Sequence, residues 1–163
     1  MGAKNIFCKI DLCRSCKSCE IGCAVMHTNS RDIYRLMEEN GKARIKVEYS
    51  RKPENGFIIK PLPVQCRHCK EPLCVRACMT ASLKKEKSTG DVKYEPDTCV
   101  GCYMCVMVCP YGAITPQRGK KLVLKCDHCE EIIAKGHITQ PACVTYCPTG
   151  ALVFCEETEF KES

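Results

Sequence analysis

The chain has no tryptophan, only four phenylalanines, and nowhere 18 consecutive apolar residues. The missing run excludes a helix that crosses a bilayer, so any membrane association has to come through a partner. The shortage of aromatics leaves a thin core. Cysteine makes up 18 of the 163 residues, and without it the hydrophobic share falls from 45% to about a third. Something other than side-chain packing has to staple such a chain, and without that staple it is not expected to fold. No G-x-G-x-x-G, P-loop or H-E-x-x-H run occurs, which removes nicotinamide, flavin and nucleotide binding and zinc proteolysis as readings. Residues 1–11 contain no long apolar stretch, and the cysteines are clustered at intervals of three and four. Both features argue against secretion into an oxidising compartment, and the chain reads as cytoplasmic.

What the chain has in abundance is grouped thiols. Thr98 to Pro110 reads T-C-V-G-C-Y-M-C-V-M-V-C-P, with Cys99, Cys102, Cys105 and Cys109 spaced C-x2-C-x2-C-x3-C-P. This is the spacing of bacterial-type iron–sulfur ferredoxins, in which three close thiolates wrap one cubane and the fourth reaches a neighbouring one. A fourth cysteine of that kind implies a second cluster. Cys13, Cys16, Cys19 and Cys23 repeat the spacing, followed by Ala24 in place of proline. In Cys66, Cys69, Cys74 and Cys78 the middle gap widens to four residues and carries a turn at Pro72. Cys126, Cys129, Cys143 and Cys147 place 13 residues between the second and third thiols. Three of the groups end in similar tails, C-P-Y-G-A-I after Cys109, C-P-T-G-A-L after Cys147 and C-M-T-A-S-L after Cys78, which marks an internal repeat. Met79 and Ser82 depart from that tail without removing a ligand. The four groups supply 16 cysteines, the number that four cubanes need.

Structural zinc fits isolated C-x2-C pairs such as Cys66/Cys69 and Cys126/Cys129, but not a triple C-x2-C-x2-C followed by x3-C. A disulfide framework conflicts with the redox compartment. A purely structural cluster, as in some nucleic-acid enzymes, suits one cubane better than four in series. The formal charge of +6 counts thiols as neutral. Four oxidised cubanes would add about −8 and bring the loaded chain near −2, so basicity is no evidence for nucleic acid.

With the wide second gap and the much wider fourth one, the arrangement from Cys13 to Leu152 resembles the four-cluster electron-transfer subunits of the dimethyl sulfoxide reductase iron–sulfur family. Relatives of this kind serve dimethyl sulfoxide reductases, formate dehydrogenases, nitrate reductases and some hydrogenases. The resemblance implies crossed ligation: Cys13, Cys16, Cys19 and Cys147 for one [4Fe–4S] cluster, and Cys126, Cys129, Cys143 and Cys23 for another. Cys66, Cys69, Cys74 and Cys109 would hold the third, and Cys99, Cys102, Cys105 and Cys78 the fourth. Some family members replace the position of Cys102 and carry a three-iron cluster; the cysteine here implies four irons. The implied fold is α+β, two interleaved ferredoxin modules with a small helix and hairpin insertion. The outer module takes residues 1–55 and 120–163, the inner one 56–119. The chain's brevity most resembles the CooF-type subunits that accompany nickel–iron carbon monoxide dehydrogenases. The expected role is therefore non-catalytic. It relays single electrons between a catalytic subunit, carbon monoxide dehydrogenase first and otherwise a formate dehydrogenase, a hydrogenase or a molybdopterin oxidoreductase, and an acceptor such as a flavoprotein, hydrogenase or membrane module. A freely diffusing polyferredoxin is the alternative, against which the insertion between Cys23 and Cys66 argues.

Outside the groups, Ile6 to Ile10 alternates like a strand, Arg31 to Glu39 looks helical up to Asn40-Gly41, and Ala43 to Tyr49 can pair with Phe57 to Val64 around Pro53 to Gly56. Leu83 to Lys87 and Asp91 to Tyr94 flank Ser88-Thr89-Gly90 as a second hairpin. If the first strand pairs with Ala151 to Cys155, Cys8 and Cys155 come near each other; each reads as an inert packed thiol, an extra ligand or redox pair being the alternative. His68 and His128, each one residue before a ligand, read as solvated or backbone-bonded, or as donors near the sulfurs. The run Lys84-Lys85-Glu86-Lys87 reads as a solvated face, and Glu156 to Ser163 as a frayed tail.

Overall fold

The computed structural model describes residues 4–51, 58–117 and 119–162. In chain order the elements are β1 (Lys4–Cys8), α1 (Ser18–Met26), β2 (Ile45–Arg51), β3 (Ile58–Gln65), α2 (Leu73–Arg76), β4 (Leu83–Lys85) and β5 (Val92–Tyr94). They continue with α3 (Met104–Val108), β6 (Thr115–Gln117), β7 (Leu122–Leu124), α4 (Glu130–Ala134), α5 (Ala142–Thr145), β8 (Leu152–Glu156) and α6 (Glu157–Glu162). The mixed α+β ferredoxin-like class is the one the sequence implied. Among the described residues every sheet is a two-stranded antiparallel ribbon, β1 with β8, β2 with β3, β4 with β5 and β6 with β7. Isolated ribbons of this size are marginal in water, so they depend on what packs against them. One core cluster joins Ile6, Ile45, Val47 and Leu152 with Cys19, Cys23, Cys66, Cys126 and Cys143; a second joins Leu83, Val92, Ile114 and Val123 with Cys105. Thiols sit in both cores.

The β1–β8 ladder ties the chain's two ends together, with Ile6 opposite Phe154 and Cys8 opposite Leu152. Cys155 lies opposite Asn5, three positions along from Cys8. An odd offset puts the two on opposite faces of the ribbon, so the expected approach of these thiols does not occur. The β2–β3 hairpin forms as expected; its turn, Pro53 to Gly56, falls outside the described residues. The second hairpin also forms, shortened to three rungs from Leu83↔Tyr94 to Lys85↔Val92.

The segment Arg31 to Glu39 is not an α-helix. A single 3-10 turn spans Ile33–Arg35, followed by turns up to Asn40, whose left-handed φ of 51° closes them. The physical reason is the lack of a surface to pack on: Ile33, Tyr34 and Met37 are all exposed, Tyr34 at 89%, and short helices owe most of their stability to a buried face. The C-terminal segment also differs from its frayed expectation. Residues 157–162 form α6, whose Phe160 ring stacks on Phe7 with centroids 4.7 Å apart.

Candidate metal centres

The internal repeat is visible in the backbone of the cysteine groups. In each of the four, the third cysteine is the second residue of a helix: Cys19 in α1, Cys74 in α2, Cys105 in α3 and Cys143 in α5. The fourth follows four residues later, about one helical turn. The long gaps of the second and fourth groups reach the same geometry, because Pro72 and Pro141 each cap the helix that carries the third thiol, a place that tolerates a missing N–H. Directly before the second cysteine, Ser15, His68, Gly101 and His128 all adopt left-handed φ between 44° and 68°. Turns of this kind gather backbone N–H groups into concavities that bind anions. At Gly101 an added Cβ would also meet the Lys121 backbone 2.8 Å away, so that position has no room for a side chain.

The tails behave as a second repeat. Ala81, Gly112 and Gly150 take left-handed φ of 53°, 58° and 63°, and their N–H groups bond back to the carbonyls of Cys78, Cys109 and Cys147 at 3.2–3.3 Å. Each tail is thus one tight turn into a strand. Burial alone would raise the Cys78 and Cys147 thiols, yet both are lowered. At Cys78 the donors are Leu83, Thr80 and Ser82; at Cys147 they are Leu152, Thr149 and Ala151. Thr80 and Thr149 were missed at the sequence level, although the shared C-x-T of the two tails carried the signal.

Tertiary packing sorts the thiols into four sets. In the first, Cys147 and Cys13 both act on Cys19, and a cavity is lined by Cys13, Cys16, Cys19 and Cys147. Burial, then the charge of Cys126, Cys23 and Cys129 and last that of Cys19 from the neighbouring set, pushes Cys143 far up. Cys66 and Cys109 act on Cys74, which burial raises to about 11, and Cys69 and Cys109 act on Cys66. Cys102, Cys78 and Cys99 act on Cys105. The sets are brought together by close helix packing: a Cβ on Gly22 of α1 would overlap the Tyr146 side chain, just past α5, at 2.5 Å. Exposure differs among them. Cys23, Cys126, Cys129 and Cys143 are all buried, whereas Cys16 and Cys102 are exposed. Cys8 faces Cys13 and Cys147 and is raised to about 11, mainly by burial.

Neutral thiols crowded in an interior are a poor use of core space unless a cation shares them. Backbone N–H groups already point at the sulfurs: Arg44 to Cys23 Sγ at 3.3 Å, and His128 to Cys126 Sγ and Ala142 to Cys129 Sγ at 3.5 Å each. All eighteen thiols are free. Sixteen of them in sets of four, with amides donating to sulfur, fit the chemistry of [4Fe–4S] cores.

Charged and aromatic neighbours complete the sites. His27 Nδ1 lies 2.7 Å from the Cys23 carbonyl and Nε2 3.2 Å from Asp127 Oδ1. Both ring nitrogens face acceptors, so the ring is an imidazolium. Burial opposes that charge, but hydrogen bonds with Asp127, Cys129 and Cys23 raise the group to about 12. Arg44 pairs with the other oxygen of Asp127. His68 and His128 are not in solvent but buried and stacked on each other with centroids 3.8 Å apart, and His68 meets the backbone-bonded expectation. His128 Nδ1 donates to Asp91 Oδ1 at 3.0 Å. His68 Nδ1 accepts the Val92 N–H at 3.0 Å; burial lowers this ring to about 4, so it is neutral and its 3.2 Å approach to Asp91 is not an ion pair. Lys85, expected in the solvated run, turns inward: its Nζ donates to the carbonyls of His68 at 2.8 Å, Cys69 at 2.7 Å and Gly90.

Known proteins share this pattern. The family described as "4Fe-4S dicluster domain" matches residues 57–157, and "4Fe-4S binding domain" matches residues 10–26. An "Iron-sulfur protein" of Rhodospirillum rubrum is 34% identical over 157 residues, covering 90% of this chain and 79% of the relative. "Probable anaerobic dimethyl sulfoxide reductase chain YnfG" of Escherichia coli strain K12 is 32% identical over 151 residues, covering 92% of this chain and 72% of the relative. "Formate dehydrogenase iron-sulfur subunit" of Haemophilus influenzae is 29% identical over 161 residues, covering 93% of this chain and 51% of its own length.

Proposed function

The chain belongs to the 4Fe-4S dicluster family, and on that premise we propose that its sixteen grouped cysteines hold four [4Fe–4S] clusters in an electron-transfer subunit of an oxidoreductase complex. The clusters would supply one-electron redox steps; no substrate chemistry belongs to this chain. The observation that carries the reading is the sorting of thiols across the sequence, with Cys147 beside Cys13, Cys16 and Cys19, and Cys23 beside Cys126, Cys129 and Cys143. By the same reasoning Cys109 completes the set of Cys66, Cys69 and Cys74, and Cys78 that of Cys99, Cys102 and Cys105. The outer module would comprise residues 1–55 and 120–163, joined by the β1–β8 ribbon, and the inner one residues 56–119.

The protein's own residues hold, insulate and orient these sites. Stacking of His68 on His128 sets the second ligand loop against the fourth, which makes that contact the crossing between modules. The sets with an exposed thiol then form the two ends. Next in sequence to ligands of the Cys102 set, the exposed Met79, Val100 and Met104 offer apolar surface, and beside those of the Cys16 set Leu12 and Tyr146 do so. Such surfaces suit docking of redox partners over small interfaces.

For the catalytic partner we favour a molybdopterin-type oxidoreductase, of the kind that the dimethyl sulfoxide reductase and formate dehydrogenase relatives serve. The narrower likeness to carbon monoxide dehydrogenase subunits has no named relative behind it. A flavoprotein, hydrogenase or membrane module remains the acceptor class. Among the described residues no helix is long and apolar enough to cross a membrane, and cysteines grouped as cluster ligands rather than paired in disulfides suit a reducing compartment such as the cytoplasm. Anaerobic purification of the tagged chain from its source tests both levels. About sixteen irons per chain with matching sulfide, and co-purifying molybdenum or tungsten, is the expected result. Four zincs would end the cluster reading; nickel in place of molybdenum would reverse the choice of partner.

A further inference from the structure

Lys125 is 4% exposed, directly after β7 and directly before Cys126. Its Nζ donates to the Cys126 carbonyl at 2.6 Å. Lys85, half-buried at the end of β4, places its Nζ on the carbonyls of His68 and Cys69, inside the second ligand loop. Neither ammonium is paired with a carboxylate among the described residues. The two acids nearest in the network are already engaged, Asp91 by His128 and Asp127 by Arg44 and His27. A cation removed from water with only carbonyl dipoles around it is costly unless an anion compensates it. Among the described residues the anionic groups on which Lys125 acts are thiolates, those of Cys66 and Cys74 and that of Cys126.

We propose that Lys85 and Lys125 are fixed-charge tuning residues that raise the reduction potential of the cluster of Cys66, Cys69, Cys74 and Cys109 above those of the two sets with an exposed thiol. The proposal rests on the four-cluster reading above. Uptake of one electron adds one negative charge to a cluster, and a nearby buried cation stabilises that added charge more than the oxidised state. The lysines therefore favour reduction of this site. The two sets with an exposed thiol lack the advantage. Cys19 faces Glu20, and the charges acting on Cys105 are those of other thiols; in the buried set, Lys125 acts on Cys126 beside the Asp127 group that His27 and Arg44 hold. Lys125 favours the thiolates of both Cys66 and Cys74. The result is an electron-accepting site in the interior of the molecule, between the two modules.

The test uses the full chain, reconstituted anaerobically and reduced stepwise with dithionite in the presence of mediators, each cluster taking one electron and being followed by paramagnetic resonance. Cys74→Ser, Cys19→Ser and Cys105→Ser each alter the spectrum of their own cluster, and the signal altered by Cys74→Ser is expected to be reduced at a higher potential than the other two; the reverse order overturns the proposal. Lys125→Gln keeps an N–H donor for the Cys126 carbonyl and removes the charge. It is expected to lower the reduced-to-oxidised ratio of that cluster about tenfold at fixed potential, a shift of about 59 mV, with Lys125→Arg restoring it. Lys85→Gln is expected to act in the same direction. If Lys125→Gln loses iron, Lys85→Gln and the Cys74→Ser assignment decide the matter. Unchanged potentials in chains that hold all four clusters refute the tuning role and leave the four-cluster reading standing, whereas an unmodified chain with fewer than four reducible clusters refutes that reading itself.

Discussion

Two of the four thiol sets show how one spacing rule can serve opposite ends. Cys23, Cys126, Cys129 and Cys143 are buried without exception, and the shell beside them is charged: a protonated His27 bridges the Cys23 carbonyl and Asp127, which Arg44 also holds. Among Cys78, Cys99, Cys102 and Cys105 only Cys105 is buried, and the neighbours are exposed apolar side chains, with Met107 80% open. Both sets place the third cysteine second in a helix and use a left-handed residue before the second. The difference therefore lies in the surroundings. A buried set can have its energetics controlled by fixed neighbours, because a low dielectric strengthens every charge nearby. A set with an open edge gives up that control in exchange for access by a partner.

The largest expected effect separates the two sets directly. Cys126→Ala should abolish its whole cluster, leaving about twelve irons per chain, and cost more than about 4 kcal/mol of stability, because thiols and metal form much of that core. Cys102→Ala should retain a three-iron core, about fifteen irons per chain, with a much smaller loss of stability. Iron analysis with thermal melts followed by circular dichroism reads both; equal losses from the two variants would erase the distinction.

Intermediate in size is the contribution of His27. Its raised value, about 12, means that its stabilisation is complete below the ordinary histidine pKa and is lost as pH rises toward the raised one. His27→Gln should cost about 1–2 kcal/mol near neutrality, discounted because Asp127 is partly open to solvent. The gap between the native chain and the variant should narrow from about pH 6 to about pH 9.5. Chemical melts at the two pH values measure it, and a constant or widening gap would show that the ring is not charged.

The smallest effect concerns the tail of Cys78, in the open set. Ala81 holds a left-handed φ of 53° where Gly112 and Gly150 stand in the equivalent tails. Ala81→Gly should relieve that strain and raise stability by about 1 kcal/mol at most, since glycine also loses more entropy on folding. A lowered melting temperature would mean that the alanine methyl contributes packing that outweighs its backbone strain.

How much of this was legible beforehand follows from the range of the forces involved. A cubane is only a few ångströms across, so its first three ligands must lie close in sequence, and the groups from Cys13, Cys66, Cys99 and Cys126 declared themselves. The repeated tails were equally plain. By contrast, the helical periodicity of Arg31 to Glu39 misled because sequence does not show whether a neighbouring surface exists for Ile33 and Met37 to cover. Lys85 and the two stacked histidines misled for the related reason that a polar residue in a loop looks solvated until another loop closes over it.

The sequence by itself determined which sixteen cysteines are candidate ligands and which family the chain joins, since both depend on spacings enforced by bond lengths and turn geometry. Only the tertiary structure decided the protonation of His27 against His68 and the inward turn of Lys85 and Lys125, and only it showed the separation of buried from open thiol sets. These are matters of burial and of charges that meet across 16 to 100 residues of chain. Coulomb interactions and desolvation act through space, and a linear pattern carries no record of which distant loops share a dielectric.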